Sequence, residues 1–547
     1  MDEAGAKYDR QLRLWGSHGQ KSLAEAHILL LKAGPTGTET LKNLVLPGIG
    51  KFTVVDDENV GEADVSNNFF VTQEYLGKGR AETTCELLQE LNPDVKGEFV
   101  VSDPVEFVTR DSTVLNTFTL VIATEMPEQN LLAIEEALLP HNVPMVVART
   151  YGFIGVCRIV SHTHCVIESK PSPEPMEDLR IADPFPELEA FVDGIDLAAM
   201  DSKDFMHTPF VVVLVQLMKK WRAEHDNKLP TTMAEKKEFK ELVKQQARKS
   251  WGEEENLLEA FDKAFLAYTP KEIPPEVSEE VFSHPYCGTE ALPSGLGPFN
   301  MRFWVLARAL KAFVEDQGSH PKLPLSGKLP DMTATTGMYV DMQRIYKAKA
   351  DADANAVYDR CLGILQAQGL DMAIISREDV KEFCKNAYYI RVTQNSRISD
   401  EIDPAKVNKE DLEMAVMEGV GDSGPQSPLL MYIMLRACDR FHSKHGRFPG
   451  QNGRLELADS DETDIQLLLA LAQEIGTELS LDSPLNLSSD HAKEFVRYAA
   501  VEMHNMAAIL GGIASQEAVK LITHQYVVLS NIYVFNGITC TGASFAL

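Results

Sequence analysis

Short apolar runs alternate with stretches of helical spacing over the first third of the chain. "AHILLLKA" (26–33) ends at Gly34-Pro35-Thr36-Gly37, and the following "TETLKNLVLPG" repeats its apolar positions at helical spacing before closing at Pro47-Gly48. "KFTVVDD" (51–57) is rich in β-branched residues and ends in acids, while "GRAETTCELLQELNP" (79–93) has a helical pattern that stops at Asn92-Pro93. "FTLVIAT" (118–124) and "VPMVVAR" (143–149) flank the helical "EQNLLAIEEALL". This rhythm predicts βαβ units, that is, an α/β domain with a parallel sheet and helices on both faces.

The pattern changes after the proline-rich "ESKPSPEPMEDLR" (168–180), which reads as a boundary loop. From about 185 to 480 the signals are mostly helical. "MRFWVLARALKAFV" (301–314) sets Phe303, Leu306, Ala307, Leu310 and Val314 on one face, and "PLLMYIMLRACDRFHSKHG" (428–446) predicts a long apolar helix stopped by Gly446. A further helix, "MAAILGGIASQEAVKLITH" (506–524), leads into a predicted strand pair, "QYVVLS" and "NIYVFNG". The expected plan is a discontinuous α/β domain: a first part over 1–168, a large helical insert over 169–488, and a return over 489–547 that completes the sheet. Loss of 490–547 is then expected to unfold the N-terminal part as well.

With 547 residues, 44% hydrophobic and 24% charged, the chain has the balance of a soluble globular protein too long for one core. A formal net charge of −29 argues against nucleic acid, whose phosphates would be repelled over most of the surface. The charged start "MDEAGAKYDR" is unlike a secretory signal, and "FVVVLVQLM" (210–218) falls well short of the roughly 20 apolar residues a bilayer needs, so no membrane span is expected. Eight scattered cysteines without a CxxC pair suit a reducing compartment, and no basic import run chooses between cytoplasm and nucleus.

The loop at 32–37 raises the question of a phosphate site. A dinucleotide loop wants G-x-G-x-x-G, yet here Lys32 holds the first glycine position; Gly34 and Gly37 keep the other two, and Pro35 removes a backbone donor. Asp56 ends the next strand at the distance expected of a ribose-binding acid. Two readings follow from these residues: a nucleotide loop, or a strand–helix turn of the same ancestry that binds nothing. The missing glycine and the proline favour the second.

"AGPTGTETLKNLVLPGIGKFTVVDDENV…SNNFF" resembles the adenylation domain of ubiquitin-like-modifier activating enzymes, in which a glycine-rich loop is followed by a "VDxDxxxxSNLNRQF" stretch. "KYDRQLRLWG" (7–16) resembles that family's opening signature, and 504–537 its closing helix and strands. "FMHTPFVVVLV" (205–215), "FWVLARALKAFV" (303–314) and "LPLSGKLPDMTATTGMYVDMQRIYKAKA" (323–350) resemble the regulatory subunits of the neddylation-type enzymes, called auxin-resistance subunits in plants. The resemblance runs almost end to end. It implies a ThiF/MoeB-like, Rossmann-type adenylation fold with a large inserted domain, paired with a catalytic subunit that adenylates a RUB/Nedd-type modifier for later attachment to cullins.

Departures from the active pattern define the role that the resemblance implies. The phosphate-binding arginine after Ser66-Asn67 is missing, since the chain continues Asn68-Phe69-Phe70. The family's lysine is replaced by Arg80, and Glu125-Met126-Pro127 stands where a metal-binding aspartate is expected. No cofactor is therefore expected in this chain, and Mg-ATP is expected in the partner subunit. The resemblance implies that Arg10 reaches that site in trans; without it, Arg10 and Arg13 read as a solvated helical face. The helical insert is expected to be the equivalent of a cysteine domain without its cysteine. His162, His164 and Cys165 lie in an alternating "RIVSHTHCVI" that reads as strand surface, with no metal site and no thioester role. The segment 331–343, with Asp331, Met332, Met338, Tyr339 and Met342, is either a loop entering a helix or a methionine-rich contact with the catalytic subunit. Other partners the resemblance implies are the modifier itself and the cognate conjugating enzyme. Alternatives are a SUMO-type subunit, which would lack an insert of this size, an autonomous adenylating enzyme, an NAD(P)-dependent oxidoreductase, and a scaffold that contributes no residue to chemistry.

Overall fold

A computed structural model describes residues 7–173, 175–293, 296–318, 321–418, 427–451, 459–479, 481 and 485–547. The first third forms helix α1 (Asp9–Glu25), strand β1 (His27–Leu31), α2 (Pro35–Val45), β2 (Lys51–Val55), α3 (Glu62–Asn67), α4 (Arg80–Leu91), β3 (Lys96–Val100), β4 (Leu120–Ala123), α5 (Glu128–Leu138), β5 (Met145–Tyr151) and β6 (Ile154–Val160). Strands β5, β4, β1, β2 and β3 lie side by side and parallel, as the βαβ rhythm predicts. Because helices cover both faces, β1 is apolar without alternation: Ile28 and Leu30 enter one core, Leu29 and Leu31 the other.

Beyond β5 the sheet turns antiparallel. β6 pairs with β5, Ile532–Asn536 pairs with β6, and Thr541–Phe545 closes the edge, giving an eight-stranded sheet. The C-terminal residues thus complete the sheet begun at the N-terminus. Of the two strands expected, "NIYVFNG" is present as Ile532–Asn536, but its partner is not the expected one. "QYVVLS" has no strand, and the second strand is the small and polar "TGASF".

The chain divides into two compact units, and the division departs from the predicted one. The first comprises 1–166 and 392–547; the second comprises 167–391, apart from 294–297. Helices Pro428–His445 and Asp459–Glu478, which lie within the insert expected over 169–488, belong to the first unit together with Ser489–Tyr498 of the expected return. Leu430, Met434, Phe441 and Phe495 join Tyr151, Val156, Ile532 and Val534 in one core. Helix Pro428–His445 is buried on every side over Leu429–Asp439, which is why its first turns are apolar on all faces, and Gly446 ends it at φ +67.

The second unit is helical. Its core gathers Val212, Val215, Trp221, Phe239, Met342 and Tyr346 from helices Phe210–Glu224, Met233–Lys244 and Thr336–Gln368. Phe303, Leu306, Ala307, Leu310 and Val314 are buried along Pro298–Glu315 as their spacing predicts. Among the described residues no helix is long and apolar enough to cross a membrane.

Candidate functional site

In an open α/β sheet, ligands bind beyond the carboxyl ends of the strands where the strand order reverses. Here that place lies between β1 and β4, and the residues singled out in the sequence converge on it. Lys32 takes a left-handed turn (φ +65), which explains why relatives of this loop use glycine there. Gly34 precedes α2, Pro35 opens it, and Gly37 packs so closely that an added Cβ would lie 2.8 Å from the Lys32 carbonyl oxygen and the Thr124 hydroxyl.

Thr36, Lys32 and Arg80, which could serve a phosphate, are engaged within the chain. Glu125, itself at φ +54, lays its carboxylate against Gly34, where an added Cβ would meet Oε1 at 2.4 Å. The close approach that a loop glycine permits is therefore used by a side chain of the same protein. At the start of α2, the Thr36 N–H donates to Glu502 Oε2 at 3.2 Å and the Thr36 hydroxyl donates to Glu502 Oε1 at 2.9 Å. A second hydroxyl, from Thr150, donates to the same carboxylate at 3.1 Å. One buried and one half-buried acid thus sit on a helix N-terminus whose free N–H groups attract anions.

The cations of the loop are similarly matched. Arg80 is buried and reaches four carboxylates: Asp56 at 2.7 Å, Glu125 at 2.8 Å, Glu58 at 3.3 Å and Asp64 at 3.4 Å. Burial works against its charge, but the surrounding acids outweigh it and hold the guanidinium protonated. Lys32 Nζ lies 2.7 Å from Asp57, 2.7 Å from Glu58 and 3.3 Å from Asp56, and these acids likewise raise its pKa against the cost of burial. Asp56, the expected ribose acid, is fully buried and accepts from Arg80 and from the Ala33 N–H at 2.8 Å. Asp56, Asp57 and Glu58 are grouped closely enough to hold a metal ion, but the Lys32 ammonium bonds all three.

Burial pushes the Glu125 carboxyl up to about 8; Arg80 pulls it down, while Glu502, Asp56 and Glu58 push it further up. Glu502 is raised by burial too, against the hydrogen bonds from Thr36 and Thr150. The carboxylates outnumber the cations here, so a nucleotide's phosphates would enter a field of their own sign. Asn68, at the position following Ser66-Asn67, is buried and donates to Thr38 Oγ1 at 3.1 Å, while Phe69 beside it is 76% exposed.

Arg10 lies apart from this loop, on α1. It is exposed, and among the described residues no hydrogen bond or ion pair engages it. Its neighbours differ: Arg13 pairs with Asp9 at 3.0 Å and Lys7 with Asp94 at 2.6 Å.

Seven cysteines are buried, and Cys540 alone is exposed. Burial raises the thiols of Cys85 and Cys287 to about 11 and that of Cys361 to about 12, and it also raises Cys157, Cys165, Cys384 and Cys438. None of these seven has the lowered pKa of an activated thiol. His164 is buried, stacks on His524 with ring centroids 5.0 Å apart, and is pushed down to about 4, so it is neutral. His164 and Cys165 are consecutive residues of the strand His164–Val166, as their alternation predicts, but both are buried instead of forming a strand surface.

The methionine segment is corrected in part. Met342 is fully buried in the core of the second unit and presents nothing to a partner. Asp331 is exposed, Met332, Met338 and Tyr339 are half-buried, and Thr335 caps the helix that begins there by accepting from the Met338 N–H at 3.3 Å. Glu502 had no signal in the sequence: it stands 466 residues from the threonine it binds.

The ThiF family model matches residues 8–546. A Xenopus laevis protein named NEDD8-activating enzyme E1 regulatory subunit is 40% identical over 547 residues, covering 99% of this chain and 98% of that one. Its namesake in Danio rerio is 39% identical over the same shares of the two chains. The Arabidopsis thaliana protein named NEDD8-activating enzyme E1 regulatory subunit AXL is 38% identical across the full length of both. The chain therefore belongs to the ThiF family and, within it, to the NEDD8-activating enzyme E1 regulatory subunits.

Proposed function

We propose that this chain is the non-catalytic half of a heterodimer whose other subunit binds Mg-ATP and adenylates the C-terminal carboxylate of a NEDD8-type modifier. In that reaction a carboxylate oxygen attacks the α-phosphorus and pyrophosphate leaves. The modifier then passes to a cysteine of the catalytic subunit as a thioester. This chain supplies Arg10 in trans, as a fixed positive charge near the phosphates, and it binds no nucleotide of its own. The observation that carries the reading is a contrast in charge. Lys32 and Arg80 are neutralised by acids of the same chain, whereas Arg10 is exposed and unpaired among the described residues. A guanidinium suits the role because it stays charged and its fork matches phosphate oxygens.

Seven buried thiols of raised or unactivated character support the absence of a thioester step here, and reduced cysteines suit a cytoplasmic or nuclear site of action. The net charge of −29 speaks for protein partners, including the modifier and a conjugating enzyme, over nucleic acid or an anionic membrane.

Modifier-dependent ATP–pyrophosphate exchange tests the reading in three samples: this chain alone, the heterodimer, and the heterodimer carrying Arg10→Ala. Activity in the heterodimer only, with a large loss for Arg10→Ala at intact assembly, is the expected result. Exchange by this chain alone would overturn it. Full activity of Arg10→Ala would reduce the chain to a scaffold.

A further inference from the structure

An arginine that acts in trans must be aimed as well as exposed, and α1 is not one rigid rod. Gly16 breaks it at φ +66 and ψ −178, so residues 9–15 form a separate arm that carries Arg10. The arm's far end is held at Trp15, whose indole N–H donates to Gln20 Oε1 at 3.2 Å and whose carbonyl accepts from Gln525 Nε2 at 3.2 Å. Something must hold the near end, two residues from Arg10.

That end is held at Tyr8. Its carbonyl begins the helix by accepting from the Leu12 N–H at 2.9 Å, and its side chain gives no cap to the backbone. The phenol instead turns back onto the domain. It lies against Gly48, where an added Cβ would stand 2.6 Å from the Tyr8 oxygen, and Gly48 is itself at φ +86. Asn92, 1% exposed, donates from Nδ2 to the Tyr8 oxygen at 3.2 Å and to the Val45 carbonyl at 2.9 Å. Its Oδ1 accepts from Lys7 Nζ at 2.7 Å, and Lys7 also meets Asp94. One buried amide thus ties Tyr8 and Lys7 to the end of α2, directly ahead of an arginine that has no tie of its own among the described residues. Such a clasp fixes direction at the cost of one side chain's freedom, and misplacing a catalytic group by about 1 Å can cost up to about a hundredfold in rate.

We infer that Tyr8, seated on Gly48 and Asn92, is a positioning residue that sets the aim of Arg10 toward the partner's nucleotide. The inference rests on the reading of Arg10 given above.

The test is a double-mutant cycle in the assembled heterodimer, read by modifier-dependent ATP–pyrophosphate exchange with kcat and the KM for ATP separated. Tyr8→Ala should lower kcat about tenfold with the heterodimer intact. Tyr8→Phe keeps the ring on Gly48 and should recover most of the loss. In an Arg10→Ala background, Tyr8→Ala should cost nothing further. Multiplicative losses would overturn the inference, since they would mean Tyr8 acts independently of Arg10. An unimpaired Tyr8→Ala beside a crippled Arg10→Ala would sink the positioning role alone, whereas a fully active Arg10→Ala would remove the reading of Arg10 and the inference together.

Discussion

The loop at the end of β1 and the arm of α1 both present cations, and they present them in opposite ways. Arg80 is buried among four carboxylates and Lys32 is bonded to three. Arg10 stands exposed and, among the described residues, alone. A charge consumed inside its own chain is part of the fold; a charge left unmatched is available to something else. The same contrast separates the two uses of glycine. Gly34 admits Glu125 where a phosphate would approach, and Gly48 admits the phenol that anchors the arm.

The contrast can be broken most severely at Arg80. Arg80→Ala would leave buried Asp56 with only the longer ion pair to Lys32 at 3.3 Å, and losing one side of a buried ion pair costs about 3–5 kcal/mol. Thermal unfolding of the full chain should show the first unit destabilised, while a midpoint unchanged from wild type would mean the acids do not depend on Arg80. Arg10→Ala comes next and differs in kind. Removing one charge-stabilising donor should lower exchange by about a hundredfold with the melting temperature unmoved.

Glu125→Gln sharpens the comparison through pH. The Glu125 carboxyl is raised to about 8 in the folded chain, against about 4.3 for an unperturbed glutamate. A raised acid contributes stability that is complete below its unfolded pKa and is lost as pH rises through the folded one. Wild type should therefore lose stability relative to Glu125→Gln between pH 5 and pH 9. The variant should melt about 2 °C higher at the alkaline end, the two converging at the acid end. Parallel curves would place the proton elsewhere. The smallest effect is expected at Arg13, whose pair with Asp9 is exposed: Arg13→Ala should change neither exchange nor melting measurably, because solvent screens such pairs.

The parallel half of the sheet was legible because strands buried on both faces are unbroken apolar runs, as in "HILLL" and "LVIA". β3 escaped because "KGEFV" lies at the sheet edge and buries none of its residues. The last strand, "TGASF", escaped for the same reason at the opposite edge, while the more apolar "QYVVLS" looked like a strand and is not one. Helical spacing identified Pro428–His445 as a helix but could not say which core it joins, since its turns over Leu429–Asp439 are buried on every side and point nowhere in particular. In the site, the replacements at Lys32, Arg80 and Glu125 could be read locally. Glu502 and the contact of Tyr8 with Asn92 could not, because each depends on segments brought together only by the fold.

The pairing of β6 with Ile532–Asn536 has a consequence for how the molecule is made. A ribosome releases β1 to β6 long before the strand that covers the open edge of β6 exists. Throughout synthesis of the intervening residues, that edge offers unpaired N–H and C=O groups to any passing strand. The helical unit over 167–391 has its own core and can close while the sheet waits. Newly made chains are thus most exposed to mispairing until Ile532–Asn536 emerges to cover β6, which is when chaperones would matter most to them.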